Sequence, residues 1–144
     1  MRNSRIKLED DVIRFSSEIY GSWTIRVDDI RLIGEVTNQD GPLLDDWFLC
    51  IAVDASGWLE ATMDAEGRDE FLKDLGRRLG SELSTELALS TDFASRIIWP
   101  PSVRGDPMFR YSDVPSESLA WRLLNIGDVK QMFSETALKV LGGN

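Results

Sequence analysis

The spacing of apolar and polar residues changes period several times along this chain of 144 residues. Residues 1–10 read as a polar lead-in, since Ile6 and Leu8 sit among Arg5, Lys7, Glu9, Asp10 and Asp11. From Val12 the pattern alternates, and Ile13 and Phe15 fall on one face, as in a half-buried strand. After the break at Tyr20-Gly21-Ser22, Trp23, Ile25 and Val27 alternate with Thr24 and Arg26 and predict a second strand. Asp28-Asp29 reads as a turn or bulge, and Ile30 to Val36 resumes the extended pattern. Asn38 to Pro42 is loop chemistry, because Gly41 permits positive φ and Pro42 has no ladder donor.

Trp47 to Val53 is apolar at every position and predicts a central strand covered on both faces. Asp54-Ala55-Ser56-Gly57 predicts a hairpin that returns antiparallel through Trp58 to Met63. Asp64 is placed to cap a helix over about 65–83, with Glu66 in its first turn. Phe71, Leu72, Leu75, Leu79 and Leu83 form its apolar stripe. Gly76 and Gly80 inside it cost helix propensity, which predicts a close approach to its backbone, by a strand of the same sheet in preference to a second subunit.

Glu86 to Ser90 suits a short strand or more of the helix, and Ser95 to Trp99 is extended until Pro100-Pro101 stops it. Ser102 to Pro107 reads as loop and Met108 to Tyr111 as a short strand, while Leu119 to Ile126 suits a buried strand and a short helix equally. Asp128, with Gln131 as capping-box partner, opens a second amphipathic helix that Gly142-Gly143 ends. The expected class is α+β: a single domain over 1–144, its mostly antiparallel sheet packed with two amphipathic helices at about 65–83 and 128–141.

Composition narrows the chemistry. The apolar share of 42% can fill a core, and the longest apolar run is far below the about 20 residues of a membrane span. Twenty-five acidic against 16 basic residues give a net charge of −9, so phosphate backbones and anionic membranes are poor partners unless a basic stripe overrides the mean. The closest approach to such a stripe in the linear sequence is Arg77-Arg78. There is no histidine, which removes Ser-His-Asp and Cys-His catalysis and the histidine-containing zinc sites. The single cysteine, Cys50, lies inside the all-apolar segment and reads as an inert buried thiol. No phosphate-binding glycine loop occurs, and no cofactor or metal is expected.

The carboxylates nearest to a site are Asp28, Asp29, Asp45, Asp46, Asp54, Glu60, Asp64 and Glu66. A histidine-free enzyme or small-ligand domain requires at least two of Asp28, Asp29, Asp45, Asp46, Asp54 and Glu60 in one cleft with raised pKa values. Solvated turns are the default, since Asp54-Ala55-Ser56-Gly57 lacks the alternating ligands of a calcium loop. Tryptophans stand at 23, 47, 58, 99 and 121, mostly as core residues. Trp99-Pro100-Pro101 is the candidate contact site, weighed against Trp99 simply closing one end of the sheet.

The segments VDDIRLIGEV (27–36), WFLCIAVD (47–54), WLEATM (58–63) and EFLKDLGRRL (70–79) in this order resemble bacterial pleckstrin-homology-like domains over about residues 12–83. The resemblance implies a bent antiparallel sheet closed at one end by a helix and used for binding. The first hairpin loop, Ser16 to Ser22, lacks the Lys and Arg that phosphoinositide-binding members place there, so no lipid site is carried over. The helix also follows about five apparent strands, where a complete fold of this kind has seven. The expected function is a non-enzymatic, cytoplasmic protein-interaction domain. The alternatives are a small acidic chaperone-like dimer that binds a client protein, and a carboxylate-based enzyme or small-ligand domain.

Overall fold

Ile6 and Leu8 do not belong to a lead-in. In the computed structural model, which describes residues 4–37, 47–87, 94–113 and 129–142, Arg5–Glu9 forms strand β1 and pairs antiparallel with β2 (Val12–Ser16). Asp10 and Asp11, both at positive φ (53° and 62°), make the two-residue turn between them. Two successive left-handed residues match the right-handed twist of a hairpin, and aspartate tolerates that conformation better than most side chains. Strand β3 (Trp23–Arg26) pairs with β2 and completes a three-stranded sheet, β1-β2-β3.

Asp28-Asp29 falls in a 3₁₀ turn, Val27–Asp29, which leads to a second antiparallel sheet. Its order is β6-β5-β4-β7, from β4 (Leu32–Thr37), β5 (Trp47–Asp54), β6 (Gly57–Thr62) and β7 (Ala94–Trp99). Strands β4 and β5 lie in the middle, and layers on both faces bury all of β4 and Leu49–Ala52 of β5. One face, through Ile33, Leu49, Ile51, Ala61 and Ile98, meets the inward residues Ile6, Ile13 and Phe15 of the first sheet. The opposite face presents Leu32, Val36, Cys50, Ala52 and Ile97 to a third layer.

That third layer is a hairpin of β8 (Phe109–Asp113) and β9 (Val129–Phe133), followed by a short helix, α2 (Glu135–Val140). The amphipathic helix expected over 128–141 is therefore half strand. Phe133 packs against the rings of both Trp58 (5.1 Å) and Phe109 (5.6 Å), and cross-strand aromatic packing outweighs the helical spacing of the same residues. The capping-box position Asp128 lies outside the described residues. The helix opens instead at Ser134, whose hydroxyl accepts from the Ala137 amide at 3.1 Å.

The first helix, α1 (Arg68–Leu79), is shorter than the expected 65–83 because glycine bounds it at both ends. Gly67, not Asp64, is the N-cap, at φ +88° with the Ile6 carbonyl 2.8 Å from where a Cβ would stand. Both facts require glycine there. Gly80 ends the helix in the left-handed region. The close approach at Gly76 does not come from a strand of the sheet. The returning chain supplies it, with the Ser81 carbonyl 2.8 Å from the position of a Cβ.

Cys50 is fully buried, and burial with the nearby negative charge of Glu60 pushes its thiol well above the ordinary range. Alkylation by iodoacetamide is therefore expected to be on the order of a thousandfold slower in the native protein than in urea, tracking the small open population. Equal rates in the two would contradict this burial. The native state also keeps its proton where the unfolded chain has released it, so stability is expected to fall as pH rises past the normal thiol pKa.

Candidate functional site

The outer face of the first sheet carries a charge balance opposite to that of the chain. Alternation sends Ile6, Ile13 and Phe15 inward and Arg5, Lys7, Arg14 and Arg26 outward. The strand residues of β1 to β3 include these four cations and one anion, Glu9, in a chain of net charge −9. Antiparallel pairing sets Lys7 directly opposite Arg14 and Arg14 opposite Thr24. An open trough of about 760 Å³ crosses the three strands, rimmed by Arg5, Lys7 and Arg14, with Trp23 and Thr24 on its far strand and Glu66 at its near end.

The ion pairs here are exposed. Glu9 serves both Lys7 (3.3 Å) and Arg14 (3.6 Å), and Arg5 meets Glu66 at 3.2 Å. Such pairs contribute about 0–1 kcal/mol and exchange readily. The face itself is firmly held. The Trp23 indole donates to the Glu60 carbonyl on β6 (2.9 Å), while Arg78 on α1 bonds Asp11 (2.7 Å) and Asp28 (2.6 Å). The Glu66 segment closes the edge of β1 through Ile6 N to Glu66 O (3.0 Å) and Glu66 N to Ser4 O (2.8 Å).

Among the described residues, the carboxylates singled out from the sequence do not form a cleft. Asp28 is engaged by Arg78, and Asp29 is exposed on the same 3₁₀ turn. Asp54 accepts from the Ser56 hydroxyl and amide in its hairpin turn, and those hydrogen bonds lower its pKa, where a catalytic acid needs the reverse. Glu60 is exposed and accepts from the Trp58 indole at 2.8 Å. Asp64 and Glu66 are exposed ahead of α1, and Asp45 and Asp46 lie outside the described residues. Among the described residues no three Asp, Glu or Cys side chains gather to hold a metal ion.

Trp99 is half-buried at the end of β7 and packs against the cluster between the two sheets. It precedes a cis peptide to Pro100, also half-buried, and Pro101 alone of the three is exposed. The neighbouring edge of β7 is covered by its own loop, with Ile97 N bonded to Asp106 O (2.8 Å) and Gly105 N to Ile97 O (2.9 Å). Replacing Trp99 with alanine would remove core packing along with any surface contact.

One acid escaped the sequence reading. Glu35, on the central strand β4, is completely buried and accepts four hydrogen bonds. They come from the Trp47 indole (2.9 Å), the Leu87 amide (3.0 Å), the Glu86 amide (2.8 Å) and the Arg96 guanidinium (3.2 Å). Its signal was present in Leu32-Ile33-Gly34-Glu35-Val36, an acid at an inward position of an apolar strand. With both oxygens saturated, Glu35 holds the chain that returns from α1 and offers no free acceptor for chemistry.

Among the described residues no helix is long and apolar enough to cross a membrane. Compared with known protein families, curated proteins and solved structures, the chain matches none.

Proposed function

We propose that this chain is a non-enzymatic protein-interaction domain, cytoplasmic in location, and that it binds its partner on the outer face of β1-β2-β3. The observation that carries this reading is the open trough across three strands that Trp23 ties to β6 and Asp11 ties to α1. A wide, shallow site leaves a small ligand mostly exposed, whereas small-molecule pockets bury about 70–90% of theirs. A protein segment laid across the strands has no such requirement. The absence of histidine in the sequence and the dispersal of the carboxylates among the described residues favour binding over acid–base work.

The pleckstrin-homology-like kinship of residues 12–83 belongs to the same proposal. Two packed antiparallel sheets of three and four strands support it. The position of α1 between β6 and β7, where such folds close with a helix after seven strands, weighs against a complete correspondence.

A photo-crosslinking residue at Thr24, exposed beside Arg14, tests the reading in the full chain. The expected result is one dominant adduct that excess unmodified protein competes away, with no such adduct from the same residue at Lys139 on α2. If Thr24 captures nothing beyond what Lys139 captures, this face is not an interaction surface.

A further inference from the structure

We infer that the partner presents an extended acidic segment, whose carboxylates replace Glu9 and Glu66 along the Arg5, Lys7 and Arg14 rim. This inference rests on the interaction reading above and adds the chemistry of the partner. It starts from a pairing that folding alone does not favour. Lys7 and Arg14 are direct cross-strand partners, and like charges facing each other across a ladder are destabilising. The chain has a surplus of acids, and one at either position would have turned repulsion into attraction. A local rule broken at a solvent-exposed site, with no gain in packing, is a mark of function.

The charges nearby complete the argument. One carboxylate, Glu9, is shared between Lys7 and Arg14, so a unit of positive charge is left over at the centre of the trough. Further along, Arg26 on β3 reaches Asp28 only at 4.0 Å, and Asp28 is already held by Arg78 at 2.6 Å. Four of the six cations in residues 1–64 thus lie on one face, although that stretch also carries 13 acidic residues. An anionic partner is drawn to this face and repelled by the rest of the surface, which orients its approach. Nucleic acid fits less well, because its affinity comes from neutralising many phosphates, and this rim offers three cations in a chain of net charge −9.

The test uses the full chain and a fluorescein-labelled peptide of alternating Glu and Val, with a Gln/Val peptide and a single-stranded RNA as comparisons. The Glu/Val peptide is expected to bind, more weakly as salt rises, and Arg14→Glu to weaken it about tenfold. Arg14→Glu gains an attraction to Lys7 and loses the exposed pair with Glu9, so its melting temperature is expected to stay close to that of the parent, and the melting curve separates lost binding from lost fold. Equal binding of the Gln/Val peptide, or an unchanged affinity in Arg14→Glu, overturns the proposal. RNA binding that is tighter than peptide binding and sensitive to Arg14→Glu overturns it in favour of a nucleic-acid partner. If the acidic peptide fails while Thr24 still crosslinks a competable partner, the acidic chemistry falls and the interaction reading stands.

Discussion

Replacing Glu35 with alanine is expected to lower the stability of this protein by about 3–5 kcal/mol, the cost of removing one member of a buried ion pair. A typical domain has about 5–15 kcal/mol in all, so the variant should unfold at a much lower urea concentration. The loss has a structural address. Without Glu35, the amides of Glu86 and Leu87 and the Trp47 indole lose their acceptor, and Arg96, its side chain only 11% exposed, keeps just Glu86 and the Ser84 carbonyl. Hydrogen exchange at Glu86 and Leu87 should therefore accelerate more than exchange in the centre of β5.

The double variant Glu35→Ala with Arg96→Met separates repair from loss. Removing both charges takes away a largely buried cation that would be left with Glu86 as its one anionic partner among the described residues, so the double variant should be more stable than Glu35→Ala alone. If Glu35→Ala melts within about 0.5 kcal/mol of the parent, the four bonds to this carboxylate hold nothing.

Gly34→Ala is the second large effect, expected at about 1–3 kcal/mol from overpacking alone. A Cβ at this position would collide with the Met108 sulfur and stand 2.9 Å from the Arg96 carbonyl oxygen. The methionine can bend away, but the carbonyl belongs to the paired strand β7, so β4 and β7 must part. Met108 is itself fully buried, and Met108→Ala should cost about 2–5 kcal/mol through its cavity. In the double variant the new methyl group occupies part of that cavity. The combined loss should fall short of the sum by about 1 kcal/mol, with the Arg96 carbonyl accounting for what is not recovered.

Gly57→Ala is the control, since nothing lies within 4 Å of its Cβ position and its φ is not in the left-handed region. It should be neutral or slightly stabilising. A Gly34→Ala protein as stable as Gly57→Ala would mean that the third layer does not press on β4 as described.

Residue pattern alone determined the parts of this protein that local physics governs. The apolar run at 47–53 is the expected strand, buried over Leu49–Ala52 with Val53 exposed, the Asp54–Gly57 turn sends it back, and Phe71 and Leu75 face inward from a helix. It also determined that histidine chemistry is absent, since no arrangement supplies a missing side chain. Tertiary structure decided what depends on distant neighbours. Val129 to Phe133 has helical spacing, but Trp58 and Phe109 offer its Phe133 an aromatic bed only when the segment is a strand. Arg5–Glu9 looks too polar to be structural until β2 and the core bury Ile6 and pair its backbone. The cationic face followed from that same pairing. In sequence Lys7 and Arg14 are seven residues apart across an acidic turn, and strand register alone sets them side by side.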